Sequence, residues 1–120
     1  MLENEIPKTE WNLNQWKTNL IGENYKAGMN YFRQGYYQKS FGNWQTIRLT
    51  INSRIKPEDE RLCEKYEQKI PTLIMKDPNY NKQVPSNNYK QLLKEYIKFV
   101  GKLLKSSGLD WTEKGEESLF

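Results

Sequence analysis

Glu58, Asp59, Glu60, Glu64 and Glu67 are a dense run of acid groups, and a pair of carboxylates is the minimum equipment for general acid and base work. Such a pair functions when an apolar cleft drives two pKa values apart. These five instead fall on consecutive turns of one helix beside Arg61, Lys65 and Lys69, the spacing of ion pairs on a helix surface. The chain contains no histidine, which removes Ser-His and Cys-His nucleophile pairs, His-ligated metals and imidazole pH switches. Cys63 is the single cysteine, so no intrachain disulfide or thiolate cluster can form. It reads as a small, half-buried helix residue in a reducing compartment. Neither a glycine-rich phosphate loop nor a dinucleotide fingerprint occurs. The expectation is a protein that is not an enzyme and carries no metal or cofactor.

Charge is better focused than catalysis. Lys90, Lys94, Lys98, Lys102 and Lys105 share an arc of about 120° when plotted at about 100° per residue. Opposite them stand Tyr89, Leu92, Leu93, Tyr96, Ile97, Val100, Leu103 and Leu104, and only Glu95 offsets the lysines. Such a row suits a phosphate backbone, where attraction is salt-dependent and blind to sequence. It equally suits an anionic membrane surface, or plain solvation of a core helix. A net charge of +4 over 120 residues is only mildly basic, so composition alone does not select nucleic acid.

After Gly108 the composition changes. Asp110, Glu113, Glu116 and Glu117 face a single Lys114, and the segment closes on Ser118, Leu119 and Phe120. The last five residues, EESLF, resemble the short motif by which bacterial and phage proteins dock into a sliding-clamp pocket. That resemblance makes Leu119 and Phe120 the anchors, with Glu116 standing where the motif usually has glutamine. The acids also suit folding back onto the basic helix.

Apolar periodicity supplies the elements that would hold these groups. Residues 1–8 read as a flexible lead-in before a Thr9 cap, with no basic leader and no apolar run. Leu13, Trp16 and Leu20 mark a first helix reaching about Ile21, with Gly22 dividing it from the next. Tyr25, Gly28, Tyr31 and Phe32 share a face up to the terminator Gly35. Tyr37, Ser40, Phe41, Trp44, Ile47 and Ile51 form a second stripe, and two such helices pack antiparallel. Pro57 followed by three acids starts a further helix, which Pro71 should end near Lys69. Asp77 to Asn88 reads as a loop, and Ser86 caps a last helix over 87–106.

The hairpin over 24–51 resembles a tetratricopeptide repeat. Gly28, Tyr31, Gly35, Tyr37, Ser40 and Trp44 occupy the places of that family's small, aromatic and turn residues. Ile47 stands where alanine is usual, and the terminal proline is missing. The resemblance implies a helical hairpin, and the family's peptide-gripping groove needs about three stacked copies where one is visible here.

The expected fold is all-α: a single helical domain over 9–107, four or five helices around an aromatic core centred on Trp16, Tyr37, Trp44 and the last helix. Trp11 and Trp111 would staple the lead-in and the acidic tail of 108–120 to it. Functionally the chain reads as a small non-catalytic protein-interaction or assembly subunit in the cytoplasm. It would bind a protein or itself, with Tyr36 and Arg33 as exposed docking residues beside Ser118, Leu119 and Phe120. The alternative is a nucleic-acid-binding accessory protein using the Lys90–Lys105 row.

Overall fold

The computed structural model describes residues 10–77 and 89–109, which form four α-helices and one 3-10 turn. Helix α1 spans Glu10–Gln34 without interruption, so Gly22 does not divide it. Gly22 is itself buried, one residue after the fully buried Ile21. An internal glycine costs about 1 kcal/mol relative to alanine, less than burying one large apolar side chain returns. The buried stripe of α1 is Thr18, Ile21, Tyr25, Met29 and Phe32. Trp16 lies off that stripe with 39% of its surface exposed, which corrects its expected place in the core.

Gly35 ends α1 as the sequence implies. Its φ of 90° is open to glycine at little cost, and it closes a Schellman turn. In that turn the Gly35 N–H donates to the Phe32 carbonyl at 3.2 Å and the Tyr36 N–H to the Tyr31 carbonyl at 2.9 Å. Helix α2, Tyr37–Thr50, then returns antiparallel along α1. Three successive contacts fix the register: Phe32 on Tyr37 at 5.3 Å between ring centres, Ser40 on Gly28, and Asn43 on Asn24. The Ser40 hydroxyl donates to the Gly28 carbonyl at 2.8 Å, and a Cβ placed on Gly28 would stand 2.7 Å from Trp44 Nε1. Gly28 is therefore what lets the tryptophan lie against the α1 backbone.

A 3-10 turn, Asn52–Arg54, leads to α3, Pro57–Lys76. Pro71 does not end this helix, contrary to expectation. Proline in a helix interior costs about 3 kcal/mol. Beyond it Ile74 is buried and Leu73 packs on the core, which offsets that cost. Leu62 is 43% exposed, and Cys63, Ile70 and Ile74 carry the burial of this helix.

Helix α4, Lys90–Ser106, begins at Lys90, three residues later than the sequence suggests; Ser86 and Asn87 lie outside the described residues. It runs parallel to α2, tied by the Tyr37–Tyr89 ring pair at one end and by Arg54 Nη1 donating to the Ser107 carbonyl at the other. It runs antiparallel to α3, with Tyr66 against both Tyr96 and Phe99. Its apolar half, Leu93, Tyr96, Ile97, Val100 and Leu104, is buried. The core is thus the wedge between α2, α3 and α4, with α1 laid along α2. An all-α bundle around aromatic rings is what the periodicity implies. None of the described helices is long and apolar enough to cross a membrane.

Candidate functional site

The α4 lysines emerge as a row. Lys90, Lys98, Lys102 and Lys105 are exposed, and Lys94 is half-buried. Among the described residues the four exposed lysines make no ion pair, while Lys94 has an interaction of its own. They stand on the flank of α4 away from Leu92 and Phe99, the residues that meet α3.

Tyr36 and Arg33 sit at the hairpin turn. Arg33 is exposed, whereas Tyr36 is half-buried against the Tyr31 ring, 5.9 Å centre to centre and nearly perpendicular at 80°. Lys39 Nζ lies over both rings, 5.4 Å from the Tyr31 centroid and 5.2 Å from that of Tyr36. This is a cation held by two aromatic quadrupoles at the molecular surface. Ser118, Leu119 and Phe120 lie outside the described residues, as do Trp111 and the acids of 110–117.

The acid run divides between surface and interior. Glu58 and Glu64 are exposed, and among the described residues no group of three or more His, Cys, Asp or Glu side chains is placed to hold a metal ion. Glu67 corrects the surface reading. It turns inward to Arg48, whose Nε donates to Glu67 Oε2 at 2.7 Å while Nη2 bonds Oε1. Tyr96 Oη donates to the same carboxylate at 2.6 Å, and Arg48 Nη1 donates to Asn52 Oδ1 at 2.8 Å. The two charged side chains are 6% and 8% exposed. The hydrogen bond to Glu67 raises the Arg48 pKa further above its already high value. Burial first, then the same carboxylate, raises that of Tyr96. Burial pushes the neighbouring Cys63 thiol up to about 11, so it stays protonated and unreactive near neutrality.

This network has a signal in the sequence. Arg48 follows Trp44 by four residues and Phe41 by seven, and Glu67 follows Cys63 by four and precedes Ile70 by three. A charge on each of two buried stripes implies a buried pair. All three helices of the wedge meet in it, so it ties them together, and its carboxylate and guanidinium are taken up by one another.

The unexpected surface is on the other side of the hairpin. Trp16 and Lys17 of α1, Thr46, Leu49 and Thr50 of α2, and Asn52 and Ser53 line an open groove of about 530 Å³. Leu49 is 56% exposed beside the half-exposed Trp16. Two large apolar side chains presented together differ from scattered surface leucines, which need no explanation.

No protein-family model, curated protein or solved structure matches this chain.

Proposed function

We propose that this protein is a non-catalytic interaction or assembly subunit whose docking face is the uncovered side of the α1–α2 hairpin. The observation that carries the reading is the Trp16–Leu49 groove, where two exposed apolar side chains of different helices line one opening. Tryptophan and tyrosine are favoured at interfaces because they bring large contact area with few rotatable bonds. The tetratricopeptide-like pattern of Gly28, Ser40 and Trp44 agrees with a hairpin used as a platform, although one hairpin cannot make that family's groove. The test is capture of partners from lysate by tagged full-length protein, with and without nuclease, beside a Leu49→Glu variant. A nuclease-resistant partner retained by the wild type and lost by the variant is expected. Equal capture by both would sink the assignment of this face.

A second reading, nucleic-acid binding, rests on the four exposed lysines of α4 and their lack of carboxylate partners among the described residues. Four or five phosphate contacts on duplex DNA give a slope of about −3.6 to −4.5 in log affinity against log salt. Lys94→Glu, Lys98→Glu and Lys102→Glu together should abolish that binding, and a binding curve untouched by the triple change would remove the reading.

A further inference from the structure

The Trp16–Leu49 groove and the Tyr31–Tyr36–Lys39 cluster belong to one face. On α1, Lys17, Leu20, Asn24, Ala27 and Tyr31 succeed each other at steps of three and four, which places them along one flank. On α2, Lys39, Asn43, Thr46 and Thr50 do the same, on the side opposite the buried Tyr37, Phe41, Trp44 and Arg48. Three cross-hairpin contacts trace the line between them: the shared groove at one end, Asn43 Nδ2 donating to Asn24 Oδ1 at 2.9 Å in the middle, and Lys39 over Tyr31 at the other end. Midway, the line is crossed by the part-buried Asn43–Asn24 bond, and the neighbouring Gly42 on α2 is exposed. At about 1.5 Å per residue, the two aromatic ends stand about 20 Å apart. The charged residues on these two rows are Lys17 and Lys39, one near each end, and the exposed Glu23, seven residues after Trp16, borders them on α1.

We propose that this face receives an acidic amphipathic helix carrying two bulky apolar anchors about 14 residues apart. The proposal rests on the docking reading above and gives its occupant a chemistry. A trough between two antiparallel helices accepts a third helix. Residues about 14 apart on that helix return to nearly the same side after about four turns, so one anchor enters the Trp16–Leu49 groove while the other meets the tyrosine pair. Carboxylates on its flanks face Lys17 and Lys39, a complementarity that also rejects basic segments.

The test uses the full-length chain and a synthetic helix-forming peptide of about 18 residues, with two tryptophans about 14 apart among glutamates. Two control peptides accompany it, one with the tryptophans about seven apart and one with lysines in place of the glutamates. Binding is followed by backbone amide shifts. The expected result is shifts at Lys39, Gly42, Thr46 and Leu49, with both controls weaker by about tenfold or more. Leu49→Glu and the paired Lys17→Glu, Lys39→Glu change should each weaken binding by a similar factor while leaving the helical circular dichroism intact. Equal affinity for all three peptides, or shifts confined to α4, would overturn the proposal. So would a concentration-dependent dimer abolished by Leu49→Glu, which gives the face to a second copy. A rise in affinity of about tenfold when Glu113, Glu116 and Glu117 become glutamine would give the face to the chain's own acidic segment and overturn the proposal as well. A single-stranded oligonucleotide shifting the same amides would also overturn it. If lysate capture depends on Leu49 but the acidic peptide does not bind, the docking reading stands and only the chemistry of its occupant fails.

Discussion

Helix α2 has two faces that invert the usual arrangement. Toward α3 and α4 it buries an arginine, paired with Glu67 and Tyr96; toward solvent it displays Leu49 beside Trp16 of α1. The inward charge is tolerated because every partner is in place: the guanidinium forks onto one carboxylate and also reaches Asn52, and the phenol takes up a further lone pair. The outward leucine costs little because an exposed apolar side chain merely forgoes burial. The two faces therefore divide the work. The polar interior joins α2, α3 and α4, and the apolar exterior is the face the proposed docking reading uses.

Breaking the interior face should have the largest effect. Glu67→Ala leaves Arg48 buried without its counter-charge and is expected to cost about 3–5 kcal/mol of unfolding free energy in urea. Replacing the whole network, Arg48→Met and Glu67→Leu together with Tyr96→Phe so that no buried hydroxyl is orphaned, should restore most of that loss, because apolar groups of similar volume need no desolvated charge. If the combined variant is as unstable as Glu67→Ala, the loss does not come from the unpaired Arg48 charge. Next in size is Gly28→Ala, which drives a methyl into Trp44 and should cost about 1–3 kcal/mol in the same assay.

The interior also predicts a pH response. The thiol of Cys63 is raised by burial from about 9 to about 11, and the phenol of Tyr89, likewise by burial, from about 10 to about 12. Through this range the folded chain keeps protons that the unfolded chain has released, so rising pH favours unfolding. Stability should fall from about pH 9 toward pH 12, and Cys63→Ala should flatten the first part of the fall. A stability that rises with pH in this window would contradict the burial of both groups. The smallest expected change in stability lies on the outer face. Leu49→Glu should stay within about 0.5 kcal/mol of wild type in urea while losing partner capture, which separates a docking face from a structural one.

Much of the fold is legible in the chain itself. The Gly35 turn, the antiparallel hairpin and the apolar half of α4 all follow from stripes at helical spacing, a local signal. Gly22 and Pro71 mislead because local propensity is worth only a few kcal/mol, and tertiary burial of Ile21, Tyr25 and Ile74 outweighs it. Trp16 misleads because its own neighbours suggest a stripe through Leu13 and Leu20, whereas α2 packs on the one through Thr18, Ile21 and Tyr25. Arg48 and Glu67 have the look of surface charges although each stands on a buried stripe. Their pairing depends on three helices meeting, which no single segment announces.

By itself, the amino-acid order determined an all-α chain with aromatic packing, no histidine chemistry and a lysine row on one side of its last helix. These are properties of composition and of periods within single helices. Tertiary structure alone decided that the acid run contributes one carboxylate to a closed internal network. It also decided that Trp16 and Leu49 share a groove, and that this groove lies in line with Tyr31, Tyr36 and Lys39. The reason is geometric: which stripe of α1 faces α2 depends on how closely Gly28 lets Trp44 approach, and that choice turns the neighbouring residues outward together.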